Sequence, residues 1–131
     1  MFKRIIILIS FLYFLLPSLS IGQDKKETIQ FDSMSVSIGT FSRNESVKTA
    51  VFSFKNVGSE KLVFYGASGD CGCISVAYPE KPIKPGKKGK ITVTYDGTRK
   101  DPGKFSHKIY FSTNARPSHF TLRLNGEMTK N

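Results

Sequence analysis

The chain has 131 residues, which is enough for one domain of ordinary size and not for several. Hydrophobic residues make up 39% and charged residues 23%, a balance that is typical of globular proteins and excludes an intrinsically disordered chain. The formal net charge is +10, so any partner recognised by long-range electrostatics is anionic.

The N-terminal segment, residues 1–22, has the three parts of a secretory signal peptide. Lys3 and Arg4 form a basic start, residues 5–16 form an apolar run, and residues 17–22 are small or polar. The apolar run is about 12 residues long, whereas a membrane-spanning helix needs roughly 20. No cysteine follows the run, so a lipid-anchored N-terminus is not expected. We therefore predict an exported protein, periplasmic or secreted, with no transmembrane anchor after signal removal.

Beyond the signal peptide we predict a polar leader at residues 23–28, one domain at residues 29–127 and a C-terminal tail at residues 128–131. Removal of the signal peptide takes away two basic residues and no acidic ones, which leaves a charge of +8. Most of that charge lies in residues 81–108, which hold nine basic and two acidic residues.

This basic segment is a candidate surface for an anionic partner. An exported protein meets anionic lipid headgroups, cell-wall polymers and acidic proteins, so we expect an envelope component or a protein as partner and no nucleic acid. The alternative is a solvated surface that keeps edge strands from pairing with other chains. The candidate patch consists of Lys84, Lys87, Lys88, Lys90, Arg99, Lys100 and Lys104.

Alternation of apolar and polar residues predicts about seven short strands, and no stretch has a sustained helical period. The alternating stretches are residues 29–34, continued at 36–41, and then 47–55, 62–65, 74–78, 91–95, 105–111 and 120–126. Short strands separated by turn signals indicate an all-β fold, a single antiparallel sandwich of immunoglobulin type. Because the chain has no Trp, we expect phenylalanines to dominate its core.

The connections carry typical turn residues. Asn56 and Gly58 are predicted to turn the chain because both accept positive φ. Residues 66–70 are predicted to be a flexible approach to the cysteines, since two of them are glycine. Residues 82–86 contain two prolines that stiffen the connection, with Ile83 as its apolar plug. Gly126 is predicted to end the last strand.

These residues together resemble a bacterial family catalogued as domain of unknown function 1573. The matching positions are Phe52, Phe54, Asn56, Gly58, Leu62, Cys71, Gly72, Cys73, Pro82, Ile83, Pro85, Gly86, Ile91, Val93, Tyr95, Asp96, Gly103, Phe105, Ser112, Asn114, Ala115, Leu122, Leu124 and Gly126. The resemblance implies an exported domain of immunoglobulin type, related to major-sperm-protein and ASPM/SPD-2/Hydin domains, and no established activity. One departure is that Asp70 and Ile74 flank the cysteines, where the family often has Ser or Thr.

Cys71 and Cys73 are the only cysteines and the main candidate site. Residues two apart in a strand point to the same face, with Cα atoms roughly 6.5 to 7 Å apart. A disulfide needs a shorter separation, so it requires a bend, which Gly72 permits. So small a ring would be strained, readily reduced and of limited value for stability.

Several roles for the pair remain open. A disulfide that fixes a bend suits an exported protein. A redox role lacks the usual Cys-x-x-Cys spacing, and Asp70 would oppose thiolate formation. Two thiolates on one face also suit Cu(I). Its conceivable further ligands are Met34, His107, His119 and Met128. Buried unbridged thiols or intermolecular pairing complete the alternatives.

Other candidates for chemistry are few. His107 shares its parity with Phe105 and Ile109, which predicts a partly buried strand histidine with one hydrogen-bond partner. Asp96 and Asp101 lie in turns, where Asp commonly accepts backbone hydrogen bonds. No catalytic motif is recognisable and no cofactor is expected. Our leading hypothesis is a non-enzymatic binding or structural module of the cell envelope, with a thiol-redox or Cu(I)-binding module at the cysteine pair as the alternative.

Overall fold

A computed structural model describes residues 26–131, so the predicted signal peptide and the first half of the predicted leader lie outside the described residues. The described chain folds into eight strands. They are β1 (Ile29–Phe31), β2 (Ser35–Ser42), β3 (Val47–Asn56), β4 (Phe64–Gly69), β5 (Ile74–Ala77), β6 (Lys88–Asp96), β7 (Gly103–Thr113) and β8 (His119–Thr129). The only helical element in residues 26–131 is a single 3₁₀ turn at Arg43–Glu45, and no helix there could cross a membrane.

The strands form two four-stranded sheets packed face to face. The first sheet has the order β1-β3-β6-β5 and the second β2-β8-β7-β4. All pairings are antiparallel except β2 with β8, which is parallel. The predicted all-β sandwich of immunoglobulin type is therefore confirmed. The strand count is eight because the stretch read as continuous at residues 29–41 divides into two strands, one in each sheet.

The core lies between the sheets and is built from the inward positions of each strand. In β6, Ile91, Val93 and Tyr95 alternate with exposed or half-buried residues, as the pattern predicted. Phenylalanines dominate the centre, and the rings of Phe111 and Phe120 stack with centroids 5.0 Å apart. Such aromatic pairs add about 0.5–1.5 kcal/mol beyond the apolar area they bury.

Two glycine-based predictions about the strands are wrong. Residues 66–69 are not a flexible approach but belong to β4, where they pair regularly with β7. Gly126 does not end the last strand, which continues to Thr129. Gly126 lies opposite Phe105, and a Cβ at this position would stand 2.5 Å from the Phe105 ring. The glycine is therefore explained by the space that this ring occupies.

Asn56 also differs from its prediction. No residue other than glycine has positive φ within residues 26–131, and Asn56 is the last residue of β3. Its buried side chain donates to the carbonyl oxygens of Glu60 and Ile83, each at 2.8 Å, and accepts from the Gly58 N–H at 3.0 Å. Asn56 thus shapes this end of the sandwich through its amide. Ile83 is buried there beside Leu62, as the predicted plug.

Candidate functional site

The two cysteines lie in the turn where the chain crosses from one sheet to the other. β4 is an edge strand of the second sheet and β5 an edge strand of the first. The backbone is fixed on both sides of the turn, because Asp70 N–H donates to Lys108 O at 3.0 Å and Asp96 N–H donates to Cys73 O at 2.8 Å. A further bond of 3.1 Å, from Ile74 N–H to Cys71 O, closes the turn itself.

Cys71 and Cys73 form a disulfide across this turn, with Cα atoms 5.1 Å apart. The separation is shorter than that of an extended strand, in agreement with the bend that a bridge at this spacing requires. Cys73 is 9% exposed, whereas Cys71 is only partly buried. The Cys73 N–H donates to the Cys71 sulfur at 3.1 Å. Cys71 is therefore the more accessible sulfur of the pair.

His107, from the neighbouring strand β7, brings an imidazole ring to the buried sulfur. Its Nε2 lies 3.7 Å from Cys73 Sγ, and its Nδ1 lies 2.9 Å from Asp70 Oδ1. The side chain of His107 is 17% exposed and that of Asp70 is 32% exposed. The predicted partial burial of His107 is thus observed. The carboxylate of Asp70 thus contacts the imidazole of His107, which contacts the sulfur of Cys73. In this order the imidazole can stabilise a thiolate at Cys73.

Asp70 is held in its ionised form by its hydrogen bonds. Burial alone would raise the pKa of the Asp70 carboxyl, but the Lys108 N–H, the hydrogen bond to His107 and the charge of His107 together lower it below 3.8. An ionised carboxylate only accepts hydrogen bonds, so Nδ1 of His107 carries the proton. The Nε2 atom is then free to face the sulfur, as a lone pair in the neutral ring or as an N–H donor in the imidazolium.

Aromatic rings line the inner side of His107. Tyr95 stacks on Phe105 with ring centroids 4.2 Å apart, and the His107 ring lies 5.8 and 5.6 Å from them, inclined by 26° and 27°. Burial, and then the nearby charge of Asp96, raise the pKa of the Tyr95 hydroxyl. The stack fixes the plane of the imidazole from the side opposite to solvent.

A cleft of about 680 Å³ opens beside the disulfide. The cysteine turn forms one wall, and the loop after β6 forms the other with Asp96, Thr98, Arg99 and Lys100. Asp96 accepts from the Thr98 N–H at 3.0 Å, which confirms its predicted role in the turn. Hydrogen bonds from the Thr98 side chain and backbone, together with the charge of Arg99, lower the pKa of the Asp96 carboxyl. Asp101 makes no side-chain hydrogen bond within residues 26–131.

The structure does not bring the seven candidate basic residues together. Arg99 and Lys100 follow the end of β6 at the disulfide cleft. Lys84, Lys87 and Lys88 lie before or at the start of that strand, roughly 26 Å away along its length. Lys90 pairs with Ser53 in the middle of the first sheet, and Lys104 lies opposite Glu127 in the second.

The other conceivable metal ligands lie away from the sulfurs, with the exception of His107. His119 pairs with Ser112, roughly 17 Å along β7 from His107. Met128 lies four residues beyond Leu124, the partner of His107, so roughly 13 Å along β8. Met34 precedes β2, and its carbonyl accepts from the Arg123 N–H of β8.

Sequence reasoning missed the Asp70–His107 pair. It took Asp70 as a charge that opposes a thiolate, whereas the carboxylate binds the imidazole that faces the sulfur. The available signal was that His107 shares its strand face with Phe105 and Ile109, which predicts that its ring points toward the core. Its meeting with Cys73 depends on the pairing of Gly69 with Ile109, which local sequence does not specify.

Solved structures share this fold at low sequence identity. A protein of unknown function from Porphyromonas gingivalis W83 matches with a TM-score of 0.67 and 14% identity over 77% of this chain, which spans 46% of that protein. The ASH/PapD-like domain 7 of human CEP192 matches with a TM-score of 0.66 and 9% identity, over 86% of this chain and 92% of that domain. The YadV chaperone matches with a TM-score of 0.54 and 13% identity, over 79% of this chain and 52% of that one.

These likenesses establish the fold and nothing further. Proteases of Vibrio cholerae also contain it, so the fold alone does not separate binding domains from enzymes. No curated protein matches the chain. The family model described as "Protein of unknown function (DUF1573)" matches residues 29–128, which confirms the resemblance seen in the sequence. The chain belongs to the DUF1573 family.

Proposed function

We propose that the domain is exported, to the periplasm or beyond the cell, and acts there as a redox-active binding module. Its Cys71–Cys73 disulfide exchanges with the thiols of an envelope protein. Export is supported by the signal-peptide pattern of residues 1–22 and by the disulfide, since disulfides persist in oxidising compartments. The sequence favoured a binding or structural module without chemistry of its own. The contact between Cys73 and His107 is the single observation that favours thiol chemistry.

The exchange begins at the more exposed sulfur. A thiolate of the partner attacks Cys71 Sγ and the disulfide breaks, so that the partner and Cys71 form a mixed disulfide. The electron pair of the broken bond goes to Cys73 Sγ. His107, as the imidazolium, stabilises this thiolate or gives it the Nε2 proton, and Asp70 holds the ring in place. A leaving thiol of lower pKa leaves faster, so this contact speeds the opening.

A second thiolate of the partner completes the reaction. It attacks the partner's sulfur in the mixed disulfide, and Cys71 leaves as a thiolate that the Cys73 N–H stabilises. The partner's two thiols have then been oxidised to a disulfide, and the domain's disulfide has been reduced to two thiols. When the partner arrives oxidised, the reverse sequence oxidises the domain's two thiols to the disulfide, and both electrons reduce the partner's disulfide to two thiols. We propose no chemistry beyond this exchange.

Thiol counting across a series of redox buffers tests the proposal. The folded protein is equilibrated with graded ratios of a reduced and an oxidised small thiol, alkylated and weighed by mass spectrometry. We expect a reversible change between no free thiol and two, with the fold retained throughout. A disulfide that opens only when the protein unfolds would show that the bridge is structural, and would overturn the proposal.

Arg99 and Lys100 line the same cleft as the disulfide, and their positive charges favour an anionic partner at this site. We propose that they, rather than the whole basic segment, attract the partner. Retention on an anionic matrix is expected to weaken steeply as salt rises. The double variant Arg99→Ala/Lys100→Ala should react more slowly with an anionic small thiol, with an unchanged rate toward a neutral one. The matched control Lys84→Ala/Lys87→Ala removes the same charge at the far end of β6, and an equal effect there would contradict a local role.

A further inference from the structure

We infer that the reduced domain binds one Cu(I) ion through Cys71 Sγ, Cys73 Sγ and His107 Nε2. The inference rests on the proposed function in one respect, since the disulfide must open before the sulfurs can act as ligands. It does not require a protein partner.

The spacing of the donor atoms fits a shared metal ion. All three atoms lie within 4.8 Å of one another. Cys73 Sγ and His107 Nε2 are 3.7 Å apart, a separation at which they form a hydrogen bond to sulfur in the disulfide form. The same distance fits two ligands at about 120° on one ion if the bonds have the lengths known for zinc, about 2.3 Å to sulfur and about 2.0 Å to nitrogen. Once a reductant has supplied two electrons and opened the disulfide, Cys71 Sγ has to move away from Cys73 Sγ in this accessible turn for both sulfurs to bind one ion.

Asp70 prepares His107 to bind a metal. The carboxylate accepts the Nδ1 proton and the Lys108 N–H, so the ring orientation is fixed and the lone pair of the neutral ring is on Nε2. Histidines that bind metals usually donate their other ring N–H to such a carboxylate, and loss of that partner typically weakens binding 10- to 100-fold. The stack of Tyr95 and Phe105 supports the ring from the core side.

The ligand set favours Cu(I) over Zn²⁺. Two thiolates and one imidazole are soft or borderline ligands, which suit Cu(I) with three ligands. A structural Zn²⁺ site is almost always tetrahedral with four protein ligands. In the part of the chain that the structure describes, the only group of three or more His, Cys, Asp or Glu ligand atoms is this one.

Cu(I) titration of the reduced protein tests the site. The protein is reduced with a phosphine, freed of it without oxygen, shown by mass spectrometry to carry two thiols, and titrated with Cu(I) against a coloured Cu(I) chelator. We expect one Cu(I) per chain in competition with the chelator. His107→Asn and Asp70→Asn should each weaken binding at least tenfold, while His119→Asn, the matched control, leaves it unchanged. X-ray absorption of the wild-type complex should show two sulfur ligands and one nitrogen ligand.

The outcomes separate the two proposals. A disulfide that resists reduction in the folded protein overturns the proposed function, and the metal site with it. Two confirmed thiols without retained Cu(I) overturn the metal site alone. Sulfur-only coordination in the absorption spectrum, or Zn²⁺ binding as tight as that of Cu(I), overturns it as well, whether or not the His107 variant folds.

Discussion

The two ends of β6 lie in surroundings of opposite character. At its start, the amide of Asn56 is 2% exposed and makes three hydrogen bonds, all to backbone groups of the connecting loops. Beyond its end, Asp70 and His107 are partly exposed and bind each other, and His107 faces a sulfur atom. The first end uses polar groups to hold the chain together. The second end holds a histidine at a disulfide whose loop is too short to add much stability, which is an arrangement expected of a reactive site.

The largest effect on stability is expected at the Asn56 end. Asn56→Ala leaves the carbonyls of Glu60 and Ile83 and the N–H of Gly58 without their partner, which should cost about 2–4 kcal/mol of unfolding free energy. Denaturant unfolding measures the loss. Asn125→Ala is the matched control, because its amide bonds only the exposed Ser35 hydroxyl. An equal loss in the two variants would show that burial of the Asn56 network is not what stabilises this end.

A smaller effect is expected from opening the disulfide. Cys71 and Cys73 are two residues apart, so the closed loop is very short and chain entropy gives about 1–2 kcal/mol. Denaturant unfolding with and without a phosphine should show this modest difference, and Cys71→Ala/Cys73→Ala should show none. If reduction costs more than Asn56→Ala, the bridge is a structural element and the contrast between the two ends fails.

The smallest effect is a pH dependence at Asp70. Because the folded protein lowers the pKa of this carboxyl below 3.8, its stabilising contribution is present above that pH and is lost as pH falls through the lowered value. The side chain is 32% exposed, so solvent screening limits the contribution to under about 1 kcal/mol. Wild type should therefore exceed Asp70→Asn in stability at pH 6 and lose this advantage as the pH falls below 3.8.

Thermal unfolding at several pH values checks this prediction. Asp101→Asn is the control, since the Asp101 side chain forms no hydrogen bond or ion pair in residues 26–131. A stability difference between wild type and Asp70→Asn that stays constant, or grows as the pH falls, would contradict the assigned hydrogen bonds of Asp70.

Most of the fold could be predicted from the sequence, because the inward positions of the strands alternate visibly. Ile91, Val93 and Tyr95 are an example, and all three are buried. The mistaken predictions concern residues whose role depends on a distant neighbour. Gly126 was predicted to end the last strand because the sequence does not show that Phe105 lies opposite it. Asn56 was predicted to be a turn residue because the sequence does not show that its amide reaches the carbonyl of Ile83.

The candidate site likewise has one part that depends on local sequence and one part that depends on residues far apart in the chain. The bend that a bridge would need follows from the spacing of Cys71 and Cys73, which is a local property, whereas the sequence left open whether the two sulfurs are bridged. The placement of His107 beside Cys73 needs two pieces of long-range information, namely that the cysteine turn joins the two sheets and that β4 pairs with β7 in this register. Neither is encoded in a short stretch of sequence.

The rate at which a small dithiol reduces the disulfide tests the central claim most directly. Wild type, His107→Asn, Asp70→Asn and His119→Asn are compared at pH 6 to 7 under folded conditions. If His107 stabilises the Cys73 thiolate as it leaves, its loss should slow reduction about tenfold, with a smaller decrease for Asp70→Asn and no change for His119→Asn. Equal rates in wild type and both site variants would contradict the claim that this histidine and carboxylate serve the disulfide.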